Sequence, residues 1–198
     1  MLAAAVPIGV SATGGAAQPR TAPTTTVAPP PGPQGPFCSS IPPEGEGSFA
    51  GMADDPVATA ASNNPYLTTL ASAVQTAGLV DTLNGAGPFT VFAPSNEAFA
   101  TIPIEDLDAV LADTEHLTEI LLLHVIVGES LSAQDLVARG EVASGEGAPI
   151  RFSMNADGLM TINDVAATTV CANIPTANAT VHVIDRFLIS VDRLVMVL

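Results

Sequence analysis

The sequence predicts an α+β domain behind a proline-rich stalk, on three observations. Of 198 residues, 47% are hydrophobic, enough for a packed core and too many for wholesale disorder. From about residue 47, helix signals fill the front half and strand signals the back half, so the two classes are segregated instead of interleaved as βαβ units. Composition also breaks near residue 44. Residues 1–43 carry 10 of the 17 prolines and one charge, Arg20; residues 44–198 carry 7 prolines, four arginines and all 20 acids, a net of −16 within the chain's −15.

That charge excludes some functions. Neutralising phosphates takes clustered Lys and Arg, and the chain has no Lys and five scattered Arg, so nucleic acid and anionic membrane surfaces are not its partners. Residues 1–17 (MLAAAVPIGVSATGGAA) read as the apolar and cleavage parts of an export signal that lacks its basic start. They are too short, and too broken by Pro7 and glycines, for a stable membrane span. Residues 18–46 form a Pro/Thr-rich linker whose Pro-Pro-Pro run favours an extended polyproline form. The domain proper is expected over 47–198.

Its elements follow in order. Asp55-Pro56 and Asn64-Pro65 each set a capping residue before a proline at a first helical position. After the second come Leu67, Leu70, Ala71 and Val74 at helical spacing, with Gly78 as the stop. Gly87-Pro88 turns the chain into a strand, Phe89 to Ala93, and Pro94-Ser95-Asn96 opens a short helix through Phe99. Helices are expected at 105–112 and 115–125. Ser132 and Asp135 form a capping-box variant before Leu136. Strands are then expected at Ile150–Met154, Leu159–Ile162, Val165–Val170, Thr180–Ile184 and Phe187–Val191, the first two joined by an Asn155–Gly158 turn.

The two cysteines, Cys38 and Cys171, sit at opposite ends of the domain. In an exported chain they are best read as one disulfide, with two free buried thiols as the alternative. The three histidines show no metal spacing: there is no His-Glu-x-x-His and no His-x-His. His124 lies with Leu117, Ile120 and Leu121 on one helical face, which reads as a buried, hydrogen-bonded side chain. His182 shares a strand face with Thr180 and Ile184. Ser144-Gly145 lacks the first glycine of a nucleophile elbow, and Gly85-Ala86-Gly87-Pro88 lacks the lysine of a phosphate loop. Glu105-Asp106-Leu107-Asp108 suits the positive end of a helix dipole better than a calcium loop. No catalytic, metal or cofactor residues are assigned.

Two blocks carry a resemblance. Thr90-Val91-Phe92-Ala93-Pro94-Ser95-Asn96-Glu97-Ala98-Phe99 resembles the first signature block of fasciclin (FAS1) domains, and Ala179-Thr180-Val181-His182-Val183-Ile184-Asp185-Arg186-Phe187-Leu188 the second. Between them Leu122-Leu123-His124-Val125-Ile126 occupies the place of the family's tyrosine-histidine motif. The resemblance spans about residues 49–192. Gly51-Met52, Asp55-Pro56-Val57-Ala58 and Thr176-Ala177-Asn178-Ala179-Thr180, with cysteines placed like Cys38 and Cys171, are similar to the secreted, immunogenic FAS1 antigens of mycobacteria.

The resemblance implies a wedge-shaped β-sandwich with helices packed along it. It also implies a non-enzymatic role in adhesion or extracellular binding by a secreted monomer, with a protein or cell-envelope component as partner. The alternative is a carrier of a small ligand or wall polysaccharide. The motif residues Thr90, Val91, Phe92, Ala93, Pro94, Asn96, Phe99, His124, His182, Ile184 and Asp185 are expected to build the scaffold. Leu123 stands where integrin-binding members carry tyrosine, which argues against that contact.

Overall fold

The computed structural model describes residues 32–164 and 166–188. The export segment, the Thr/Pro tract up to residue 31 and the expected strand positions 189–191 lie outside the described residues. A 3-10 turn, Pro36–Ser40, precedes four helices: α1 (Phe49–Asp54), α2 (Val57–Asn63), α3 (Thr68–Thr76) and α4 (Val80–Leu83). Strand β1 (Phe89–Pro94) leads to α5 (Asn96–Ala100), α6 (Ile104–Ala112) and α7 (Thr114–Leu123). Then come β2 (Val125–Val127), α8 (Ala133–Arg139), β3 (Glu141–Ala143), β4 (Pro149–Met154), β5 (Met160–Ile162), β6 (Ala167–Pro175) and β7 (Ala179–Ile184).

The seven strands form one sheet in the order β2-β1-β7-β6-β5-β4-β3. β1 and β7, second and third in that order, form a parallel pair in register Phe92 to His182; the other pairs are antiparallel. The sheet curls: the Gly145 N–H beyond β3 donates to the Val125 carbonyl of β2 at 2.6 Å, so its two ends nearly meet.

Alternation along β1 divides the interior in two. Phe89, Val91 and Ala93, with Ala179, Val181 and Val183 of β7, pack against Val57, Leu70, Val74, Leu117 and Leu121 of the helices. Phe92 and Ile184 point into the curl of the sheet with Leu136, Ile150, Phe152 and Ile162. Both central strands are buried along their whole length, which explains why their sequences lack the polar face of an ordinary antiparallel strand.

Several expectations need correction. The packed body begins before residue 47: Gln34 bridges Ala172 with two backbone hydrogen bonds (3.0 and 2.7 Å), Ile41 is buried, and Phe37 meets Tyr66 edge-on at 5.0 Å. Residues 34–41 therefore pack with the domain, because they bond to β6 and set Phe37, Cys38 and Ile41 against the helical core. The helix expected at 115–125 stops at Leu123, and Val125-Ile126-Val127, all β-branched, pair with β1 instead. The strand expected at Val165–Val170 runs from Ala167 to Pro175. Phe187 and Leu188 are not in a strand: the Asp185 carboxylate accepts the Thr168 N–H at 2.6 Å and turns the chain out of the sheet. Gly78, at φ 68°, does close α3, and the Ser132–Asp135 capping box opens α8.

Helix entry uses side chains that no local pattern announces. The Asn178 Oδ1 accepts the Val57 N–H at 2.9 Å, and Asn84 Oδ1 accepts from Ala58 and Thr59, so α2 is capped from two distant loops. Asn64-Pro65 makes a turn, and α3 begins at Thr68, where Asn96 Oδ1 accepts the Thr69 N–H. Asn178 also donates to the Leu83 and Gly85 carbonyls at 2.7 and 2.8 Å. The Asn178-Ala179-Thr180 triplet has a glycosylation pattern, yet its amide is committed internally. Gly87 is required beside it, because a Cβ there would lie 2.0 Å from the Asn178 carbonyl oxygen. Asn178→Ala is expected to lower the unfolding free energy in urea by about 2 kcal/mol, since three backbone groups lose their partner.

Candidate functional site

The two signature blocks lie side by side as β1 and β7, and the polar side chains on these strands, Thr90, Thr180 and His182, point inward. Thr90 Oγ1 donates to the Glu129 carbonyl (2.8 Å) and accepts the Leu131 N–H (2.9 Å). Thr180 exchanges a 2.6 Å hydroxyl contact with Ser130, and Asn173 Oδ1 accepts the Ala133 N–H at 2.8 Å. Asn173 achieves this with φ 60°, at an irregularity in β6 where asparagine tolerates the left-handed region. Together these contacts tie the loop before α8 onto the sheet. The Ser95 hydroxyl accepts the Ala98 N–H at 3.2 Å, capping α5.

His124 and His182 are both fully buried, and their partners fix opposite tautomers. His124 Nδ1–H donates to the Ile120 carbonyl (2.8 Å), leaving Nε2 to accept the Leu188 N–H (2.9 Å). His182 Nε2–H donates to the Leu131 carbonyl (3.0 Å), and Nδ1 accepts the Asn173 N–H at 3.4 Å. Desolvation lowers each imidazole from 6.5 to about 4, against a smaller opposing effect of the carbonyl hydrogen bond. Each ring also meets a phenylalanine: Phe92 stacks 5.7 Å from His182, and Phe187 lies tilted 4.6 Å from His124. With all four ring nitrogens bound to backbone, neither histidine is placed to take a proton from a hydroxyl or thiol.

Cys38 and Cys171 form a disulfide across 133 positions, joining the 3-10 turn to β6. Asp185 ends β7, and Asn96 and Asn178 cap helices. Among the described residues no group of three His, Cys, Asp or Glu is arranged to hold a metal ion, and no helix is long and apolar enough to cross a membrane. Beneath α2, α3, α4 and α7 lies a cavity of about 30 Å³, lined by Leu70, Val74, Leu83, Val91, Leu121 and His124 among others. That is room for one or two waters, far below a small-molecule site of roughly 300–1,000 Å³.

The surface is acidic. Arg139 pairs with Glu129, and Arg151 donates to Glu141 at 3.1 Å, so two of the few cations are matched within the chain. Large apolar side chains are exposed at Val127 and Met154. The first lies at the β2 edge, the second at the far end of β4.

A mixed sheet that pairs these two blocks in parallel, with inward histidines and helices along one face, defines a fasciclin-type domain. The family model described as Fasciclin domain matches residues 65–190, and the chain belongs to that family. Among its relatives, the cell surface glycolipoprotein MPB83 of Mycobacterium bovis is 46% identical over 151 residues, 74% of this chain and 66% of that protein. The immunogenic protein MPB70 of M. bovis is 40% identical over 162 residues, 78% of this chain and 80% of that one. Protein sll1483 of Synechocystis is 39% identical over 131 residues, covering 65% and 70%. The chain thus spans just under two thirds of the length of MPB83. Among solved structures, the FAS1 domain pair of the insect cell adhesion molecule Fasciclin I superposes with a TM-score of 0.60 at 19% identity, over 71% of this chain and 52% of that one. That likeness carries the fold.

Proposed function

We propose that this chain is a secreted, monomeric, non-enzymatic binding module that engages an extracellular protein or cell-envelope component through its outer surface. The observation that carries the reading is the inward commitment of the buried polar side chains on and beside the two signature strands. Thr90, His124, Asn173, Thr180 and His182 are used up in holding the fold, which leaves recognition to exposed residues. On this reading the motif residues are scaffold, residues 1–17 an export signal and the Thr/Pro tract a spacer. The disulfide supports an oxidising, extracellular setting. The relatives named as a cell surface glycolipoprotein and an immunogenic protein support the same location. The small-ligand or polysaccharide alternative would need a larger and more polar cavity than the 30 Å³ space between the helices.

The test immobilises the full chain and passes over it protein-bearing cell-envelope material, matrix protein and soluble wall polysaccharide in separate runs. Saturable retention of protein is the expected result. Retention of polysaccharide alone would favour the alternative, and no saturable retention would overturn both.

A further inference from the structure

The last described residues are held in an unusual way. After Asp185 the chain leaves the sheet, and Phe187 and Leu188 carry no strand pairing. Among the described residues, the last sheet-side backbone bond is Asp185 N–H to the Thr168 carbonyl; beyond it Leu188 N–H donates to the ring nitrogen Nε2 of His124. Leu188 is 1% exposed in the core inside the curled sheet, and the Phe187 ring sits between His124 (4.6 Å) and Phe99 (5.2 Å). A backbone N–H can only donate and the Ile120 carbonyl can only accept, so both bonds require a neutral His124 in one tautomer. A protonated ring presents N–H to N–H at Leu188.

We infer that Phe187–Leu188 is an acid-released latch: protonation of His124 frees this segment and uncovers Phe99 and the imidazole, while the sheet stays folded. Among the described residues, residues 186–188 are held by side-chain burial and this one bond, which keeps the consequence local. His182 is placed differently, since its strand is paired on both sides and its two partners lie on the sheet and the loop tied to it. Among the described residues no carboxylate bonds to His124, whose ring meets the Ile120 carbonyl, the Leu188 N–H and Phe187. Glu119 on α7 is partly exposed beside His116, Glu97 on α5 and Asp81 on α4 are exposed, Asp55 before α2 accepts from Asn63, Asp185 is committed to Thr168, Arg186 is exposed, and β1 and β2 carry no charge. Burial holds the closed ring near 4 against 6.5 in water, so the opening equilibrium gains about tenfold per pH unit over that interval, about 300-fold in all.

NMR of the full chain between pH 7 and 3.5 tests this. The Leu188 amide is expected to move to a disordered position with the same midpoint as the His124 ring, while the amides of Val91, Phe92 and Val181 keep native positions. In His124→Gln, which keeps a non-titrating acceptor, Leu188 is expected to become insensitive to pH over this range. In Phe187→Ala the latch is weaker, and the His124 midpoint is expected to rise by about one pH unit. This chain carries the test if His124→Gln does not fold. Loss of Leu188 and strand amides in one step, an unmoved Leu188 after the ring has titrated, or an unchanged midpoint in Phe187→Ala would overturn the latch.

Discussion

Removing the Cys38–Cys171 disulfide, by reduction or as Cys38→Ala with Cys171→Ala, is expected to lower the unfolding free energy by about 5 kcal/mol. The chain-entropy cost scales with the loop closed, and 133 positions separate the two cysteines. The site also fixes more than a loop. Cys171 is fully buried in β6, and the turn carrying Cys38 brings Phe37 against Tyr66 and Ile41 into the helical core. Released, residues 34–41 hold only the Gln34–Ala172 bridge and their own packing. Urea unfolding of the oxidised and cysteine-free chains measures the effect, and hydrogen exchange at Ala172 reports the strap itself. A difference below about 1 kcal/mol would mean that the segment before α1 is held by packing alone.

Acid is expected to weaken the folded state through His182. At pH above 6.5 the imidazole is neutral in both folded and unfolded chains and contributes no pH dependence. As pH falls from 6.5 toward about 4, the unfolded chain takes up a proton that the buried ring refuses, so stability declines across that window and levels off below it. Between pH 7.5 and 4.5 the loss from this one group is roughly 2–3 kcal/mol. His182→Gln keeps a donor for the Leu131 carbonyl but does not titrate. Its urea-derived stability at pH 7.5 is expected to be lower than that of the wild type, and its decline toward pH 4.5 shallower by that amount. Equal slopes for the two chains would contradict a neutral, buried His182. The comparison cancels contributions shared by both chains, including the relief of self-repulsion as an acidic surface becomes protonated.

The sequence made the architecture legible where local pattern and tertiary role coincide. The apolar, β-branched runs at 89–93 and 180–184 could only be buried strands, and the capping box at Ser132 marked a helix that formed as expected. The pairing of the cysteines was also open to inspection, since two cysteines have one partner choice. Legibility failed where long-range contacts override local preference. Leu122–Ile126 continues a helical pattern, but Val125 and Ile126 gain more by pairing with β1. Asn84, Asn96 and Asn178 look like ordinary loop residues, although each donates and accepts across 25 to 121 positions to cap a helix. Phe187-Leu188 reads as strand because it is apolar, yet Asp185 turns it away and His124 captures it. Of the site, the strand position of His182, on one face with Thr180 and Ile184, was legible from alternation. The partners of its nitrogens, Leu131 and Asn173, were not, because one lies in a loop and the other needs a left-handed backbone at an irregular strand.

On the proposed function, a folded surface does the binding, without chemistry on the partner. The most direct measurement is a binding isotherm between the full chain and the protein retained from extracellular material, followed by the intact mass of that protein. A saturable 1:1 isotherm with the partner recovered at unchanged mass is the predicted result. A partner recovered cleaved or modified would contradict it.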